Sequence, residues 1–146
     1  MTISWINRQI AVSAAFADDD IPLLKEQGIN AVLDIRSERA DNEELLKKHG
    51  MKYMQVKVDD TFSPSFGQLE IIMEFIEPLL ERGRKVLIHC QHGAGRSNLV
   101  AVAVLARQGM DVSAAVRLIK ERHPNCGFSN SQKSFLDSEL SKFLNK

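Results

Sequence analysis

The segment His89-Cys90-Gln91-His92-Gly93-Ala94-Gly95-Arg96-Ser97 constrains this chain more than any other. A cysteine and an arginine bracket five residues, two of them glycine. The apolar run Val86-Leu87-Ile88 precedes the segment, and residues 99–106, aliphatic throughout, follow it. Strand, small-residue loop and helix in that order aim the loop's backbone N–H groups at one point beside a helix N-terminus. That is a ready-made site for a tetrahedral oxyanion. Cys90 stands at the bottom of such a cradle, where the N–H groups, the helix dipole and the Arg96 guanidinium favour the thiolate. A thiolate aimed at a bound phosphate is a nucleophile.

The rest of the chain suits one α/β domain spanning residues 1–146. At 146 residues and 44% hydrophobic, the chain can bury one sizeable core. Nineteen basic residues balance nineteen acidic ones, so no global field points to nucleic acid or anionic lipid, and any anion selectivity must be local. The N-terminus lacks a signal-peptide pattern, and no apolar run reaches the roughly 18 residues needed to span a bilayer. A cytoplasmic location is the expectation. Cys90 and Cys126 are the only cysteines, too few for a disulfide framework.

Short strand-like pieces at 3–6, 9–12, 31–35, 53–58 and 85–89 alternate with helical patterns. The first helix is expected from Asp19 or Asp20 to Gln27, stopped by Gly28. Asp41-Asn42-Glu43-Glu44 reads as a capping box for a short helix closed by Gly50. A longer helix follows Ser63-Pro64-Ser65, with Pro78 expected to kink or break it. The helix over 99–106 has no polar face and should be buried against the sheet, bracing the loop. Asp111 is expected to cap a helix through Arg122, and Ser129-Asn130-Ser131-Gln132 to open a last amphipathic one, so three helices follow the strand that ends at His89.

The pattern His89-Cys90-x-x-Gly93-x-x-Arg96-Ser97 resembles the signature of the cysteine-dependent protein tyrosine phosphatase superfamily, and the chain is most similar to its small dual-specificity branch. Asp34-Ile35-Arg36 at a strand end, an aspartate-bearing loop about thirty residues before the cysteine, and Asn125-x-Gly127-Phe128 before the last helix extend the resemblance over nearly the whole chain. It implies a central, mostly parallel twisted sheet flanked by helices. It also implies two-step phosphomonoester hydrolysis through a phosphocysteine, with no cofactor and no metal.

Each residue can be given a role on this reading. Cys90 attacks phosphorus. The residues Gln91, His92, Gly93, Ala94, Gly95 and Arg96 bind the phosphate, Arg96 by a guanidinium fork that a lysine could not supply. Gly93 and Gly95 permit the backbone angles of an anion nest. Ser97 donates to the Cys90 sulfur as it departs, or satisfies first-turn backbone groups. His89 tunes the loop from behind, or is a satisfied core histidine. The leaving group needs a proton, and Asp59 and Asp60 stand at a strand end before a loop. Read alone they are solvated turn residues; with the cysteine motif downstream, one is the general acid, and the family pattern selects Asp60. Gln132 or Asn130 positions the attacking water, unless Ser129-x-x-Gln132 is simply a capping box. Cys126 is a packing residue, and Asp34 and Arg36 are architectural.

The expected partner is a phosphorylated protein or peptide, with phosphotyrosine preferred in vitro and phosphoserine and phosphothreonine also accepted. No nucleic acid or membrane partner is expected, and a monomer is. Absence of lysine between Cys90 and Arg96 weighs against a phosphoinositide phosphatase. The loop also resembles that of RNA 5′-triphosphatases, but the chain lacks a basic surface for RNA. A catalytically silent phosphopeptide-binding module is opposed by the intact Cys90, Arg96 and Asp60. Sulfur transfer and arsenate reduction fit the position and flanks of Cys90 less well.

Overall fold

The computed structural model describes residues 1–145. Five strands form one sheet: β1 (Ser4–Trp5), β2 (Ile10–Ser13), β3 (Ala31–Asp34), β4 (Lys52–Gln55) and β5 (Val86–His89), in the order β1-β2-β5-β3-β4. Only β1 runs antiparallel; β2, β5, β3 and β4 are parallel. β5 slots between β2 and β3, and their last residues, Ser13, His89 and Asp34, lie in register. The chain therefore winds one way through α1 (Ile21–Glu26) and α2 (Glu43–Lys48), then returns through α3 (Phe66–Glu81) to the slot it had skipped. In open α/β sheets, ligands bind outside the carboxyl ends of the strands at such a reversal. The segment after His89 stands there.

Alternation along the strands builds two cores. Ile10, Val12, Ala31, Leu33, Val86 and Ile88 face the larger one, with α3, α4 (Arg96–Arg107), α5 (Val112–Arg122) and the final helical stretch. Ala11, Val32 and Leu87 face the smaller one, under α1 and α2. α4 is buried from Arg96 to Leu105, as its lack of a polar face requires. Three helical stretches follow β5. The last comprises α6 (Asn130–Ser134), a π-helical turn (Phe135–Glu139) and α7 (Leu140–Leu144). No helix among the described residues is long and apolar enough to cross a membrane.

Several local expectations need correction. The helix after β3 is capped by Asn42, whose side chain accepts from Leu45 N, because Asp41 is committed to Arg36 and His89. The strand expected over 53–58 ends at Gln55. β3's chain turns away after Asp34 O accepts from Val56 N, leaving Val56 and Val58 to pack without a strand partner. α3 runs through Pro78 to Glu81 without a break, held by its buried face of Leu69, Ile72, Met73, Ile76 and Leu79. The first helix opens with a 3-10 turn at Asp18–Asp20 and ends at Glu26. Asp111 occupies the N-cap position of α5 but its side chain makes no cap bond.

Candidate active site

Cys90 leaves the end of β5 buried, and its Sγ lies 3.2 Å from Ser97 Oγ. Between them the loop is fastened from outside. Gln91 O accepts from Ala15 N, His92 O from Asn125 Nδ2, Gly93 O from both His123 Nε2 and Asn98 Nδ2, and Ala94 O from Asn98 Nδ2 and Gly127 N. In a planar trans peptide, C=O and the next N–H point opposite ways. Four carbonyls held outward turn the N–H groups of residues 92–95 toward the inside of the loop. Gly93 has φ +71°, and a Cβ there would stand 2.9 Å from Ala14 N, so conformation and space both demand glycine.

Arg96, the first residue of α4, is 1% exposed. Its two terminal nitrogens grip both carboxylate oxygens of Glu38 at 2.7 and 2.8 Å, and one also donates to Val58 O. That fork holds the Glu38 carboxyl down to about 2. Arg96 Nε has no hydrogen-bond partner among the described residues, and Asp60 Oδ1 lies 3.7 Å from it. A buried donor left unmatched costs about 1–3 kcal/mol, which an anion oxygen in the loop would recover.

The two aspartates differ. Asp59 Oδ1 accepts from Ser37 Oγ at 2.5 Å, whereas Asp60 Oδ1 accepts only from the neighbouring Thr61 N and leans toward Arg96. Both are exposed. They open a turn closed by Phe62 N donating to Asp59 O, in which Thr61 takes φ +70°, the one positive φ outside glycine among the described residues. Ser129 Oγ donates to Thr61 O, and Gln132 Nε2 to Phe62 O, so the N-terminus of α6 straps this loop. Gln132 also completes the capping box with Ser129 and lies against Gly95, where a Cβ would collide with its carboxamide. Structural and site roles coexist in Gln132. Asn130 is exposed, with no side-chain hydrogen bond among the described residues.

Behind the loop, His89 is buried, its Nε2 2.5 Å from Asp41 Oδ2 and its ring against Phe16. Arg36 ties both oxygens of Asp34 to Asp41 and to Gln91 Oε1. Tyr53 Oη donates to Asp34 and accepts from Asp41 N, and burial pushes its phenol up. Asp34, Asp41 and His89 bring donor atoms within 4.8 Å of one another, a trio a metal could use. Arg36 already bridges the two carboxylates, so a guanidinium holds the oxygens a metal would need. His92 is exposed and contributes only its backbone to these contacts. Cys126 packs half-buried at the larger core, and burial pushes its thiol up to about 11.

Glu38, Asn98 and His123 were not singled out from sequence. Asn98 carried a signal, a lone amide opening an otherwise aliphatic helix. Glu38 carried none that set it apart from the acids around it.

The description "Dual specificity phosphatase, catalytic domain" matches residues 13–139. This chain belongs to the dual-specificity phosphatase family. Dual specificity protein phosphatase 1 of Arabidopsis thaliana is 27% identical over 152 residues, covering 86% of this chain and 74% of that protein. Phosphatidylglycerophosphate phosphatase PTPMT2 of the same organism is 24% identical over 136 residues, covering 90% of this chain. The dual-specificity domain described here spans 60% of that relative's length. Among solved structures, Tk-PTP in the active form superposes with a TM-score of 0.85 at 26% identity, covering 96% of each chain. The sheet flanked by helices is thus the phosphatase fold, and the family is one of cysteine-dependent phosphatases.

Proposed function

We propose that this domain hydrolyses phosphotyrosine, and also phosphoserine and phosphothreonine, in a protein or peptide substrate through a phosphocysteine. The observation that carries the reading is the unmatched Arg96 Nε beside a loop whose outward carbonyls are all taken. A phosphate dianion supplies the acceptors that the inward donors lack.

In the first step Cys90 Sγ forms a bond to phosphorus and the ester oxygen departs with its electron pair, taking a proton from Asp60. Arg96 and the loop N–H groups hold the equatorial oxygens, whose charge persists through a loose transition state. In the second step water attacks phosphorus, Asp60 recovers a proton from it, and the S–P bond breaks back to the thiolate. Ser97 Oγ, 3.2 Å away, donates to the departing sulfur. Gln132, between the acid loop and Gly95, orients the water. Every step uses groups of this chain.

A lipid phosphomonoester is the second reading, favoured by the relative named as a phosphatidylglycerophosphate phosphatase. Opposed to it are a loop without lysine and the exposed acids Glu38, Asp59 and Asp60 around the mouth. The test is a panel of phosphotyrosyl and phosphothreonyl peptides, phosphatidylglycerophosphate, phosphoinositides and RNA 5′-triphosphate, offered to wild type and Cys90→Ser. The peptides should be turned over fastest, and Cys90→Ser should bind phosphate yet retain less than about a thousandth of the activity. Faster lipid turnover transfers the assignment to the second reading. Surviving activity in Cys90→Ser ends the phosphocysteine mechanism.

A further inference from the structure

The chain's charge balances overall, nineteen against nineteen, but not along the strands. Glu38, Asp59 and Asp60 are exposed at the carboxyl ends. At the opposite ends, where the chain enters β2 and β5, a cleft of about 580 Å³ is lined by Arg8, Lys85 and Arg122, with Trp5, Asn7 and Gln27 among them. Three cations, two amides and an indole meet there without a carboxylate. None of the three cations has an ion pair among the described residues, nor have Arg82 and Arg84 in the exposed lead-in to β5. Elsewhere Lys47 pairs with Glu43, Arg107 with Glu77 and Lys142 with Glu139, and what sets the cleft apart is that three cations share one concave site.

The walls of the cleft are tied to one another. Trp5 Nε1 donates to Gln27 Oε1 at 3.2 Å, and Lys85 Nζ sits 5.7 Å from the centre of the indole. Arg8, from the turn between β1 and β2, and Arg122, at the end of α5, each carry the guanidinium fork that grips phosphate oxygens in pairs. Like charges gathered without a counter-ion repel, and an anion between them turns that repulsion into binding. Five residue steps along β5 separate Lys85 from Cys90, about 16 Å of extended chain.

We propose that this cleft binds a phosphate-bearing anion of two or more negative charges, at a site distinct from the Cys90 loop. Two sources share that chemistry, a soluble phosphate compound and a phosphate headgroup on a lipid surface.

Trp5 is the sole tryptophan, so intrinsic fluorescence reports on this cleft. Inorganic pyrophosphate added to the full chain should change Trp5 emission saturably, and the midpoint should rise with added salt as screening sets in. Orthovanadate bound at Cys90 should leave the titration in place. Arg8→Glu with Arg122→Glu should weaken binding by about tenfold or more, while turnover of an aryl phosphate stays within about twofold of wild type. Should charge reversal disturb the circular dichroism, Arg8→Ala with Arg122→Gln serves instead. In a second arm, vesicles of phosphatidylcholine with phosphatidic acid are compared with phosphatidylcholine alone. Binding of pyrophosphate supports a soluble ligand, and co-sedimentation with only the charged vesicles supports a headgroup. The proposal is overturned if neither probe binds, if vanadate abolishes the response, or if both pairs of variants bind like wild type.

Discussion

The phosphate loop and the acid loop face each other across the same site but are held in opposite ways. Residues 91–94 have every carbonyl fastened from outside, by donors from the chain after β2, from α4 and from the segment after α5. The acid loop is exposed, carries a threonine at φ +70°, and is held at its far side by the side chains of Ser129, which caps α6, and Gln132 within it. A nest of N–H donors must be fixed before the anion arrives, because reorganisation would cost the stabilisation it offers. A general acid must instead deliver a proton and retrieve one, and a lightly tethered loop leaves its carboxyl room for both.

The largest expected effect separates Asp59 from Asp60. Asp60→Asn should lower kcat on a phosphotyrosyl peptide by about 10²–10⁴-fold, the usual contribution of general acid catalysis. The loss should shrink on an aryl phosphate with a very acidic phenol. Asp59→Asn, which removes only the bond to Ser37, should be mild on both. Steady-state kinetics on the two substrates checks this, and a larger loss in Asp59→Asn reverses the assignment.

The loop's outer fastening gives the next effect. His123 Nε2 donates to Gly93 O at 2.8 Å while its Nδ1 faces Ser4 Oγ at 2.7 Å, which fixes the tautomer as Nε2–H. His123→Phe deletes that donor and should lower kcat on the order of tenfold, as small misplacements of binding groups do. His123→Gln, whose amide N–H reaches the same carbonyl, should restore most of it. Equal loss in both variants would mean that ring packing, not the hydrogen bond, matters.

A smaller effect reads the Arg96 and Glu38 pair through pH. The folded carboxyl lies near 2, below its ordinary 4.5, so the pair stabilises the fold fully above about 4.5 and ceases to do so as pH falls through about 2. Thermal midpoints followed across that window should fall less steeply in Glu38→Gln than in wild type. Parallel curves would show that the fork adds nothing to stability. Smallest of all, exhaustive chelation with EDTA should leave turnover unchanged, since Arg36 already holds the carboxylates of Asp34 and Asp41 in the trio with His89. Loss of activity restored by one metal would overturn that reading.

What could be read from sequence follows the same division. The phosphate loop was legible because its chemistry is local: strand, glycines, arginine and helix sit within a few residues of one another. Its fastening was not, since His123 and Asn125 reach it from thirty and thirty-three residues away, across a gap no periodicity records. Asp41 misled for a related reason. It stands in a capping pattern, yet His89 and Arg36 offered it charge-assisted partners in the interior, and Asn42 took the cap. For the acid loop, the residues alone offer two neighbouring aspartates and the family pattern selects Asp60, while the Ser37 hydroxyl that engages Asp59 is a partner only the folded chain supplies.

The ten residues from His123 to Gln132 both fasten the phosphate loop and strap the acid loop. During synthesis, every group assigned to bond making is already in the chain when Ser97 has emerged, yet this ten-residue fastening is still to come. A chain halted after α5 would have the residues that pair Arg96 with Glu38 and Cys90 with Ser97. It would lack the donors to His92 O and Gly93 O from Asn125 and His123 and the tie from Ser129 and Gln132 across the acid loop, so its anion cradle would stand open on one side.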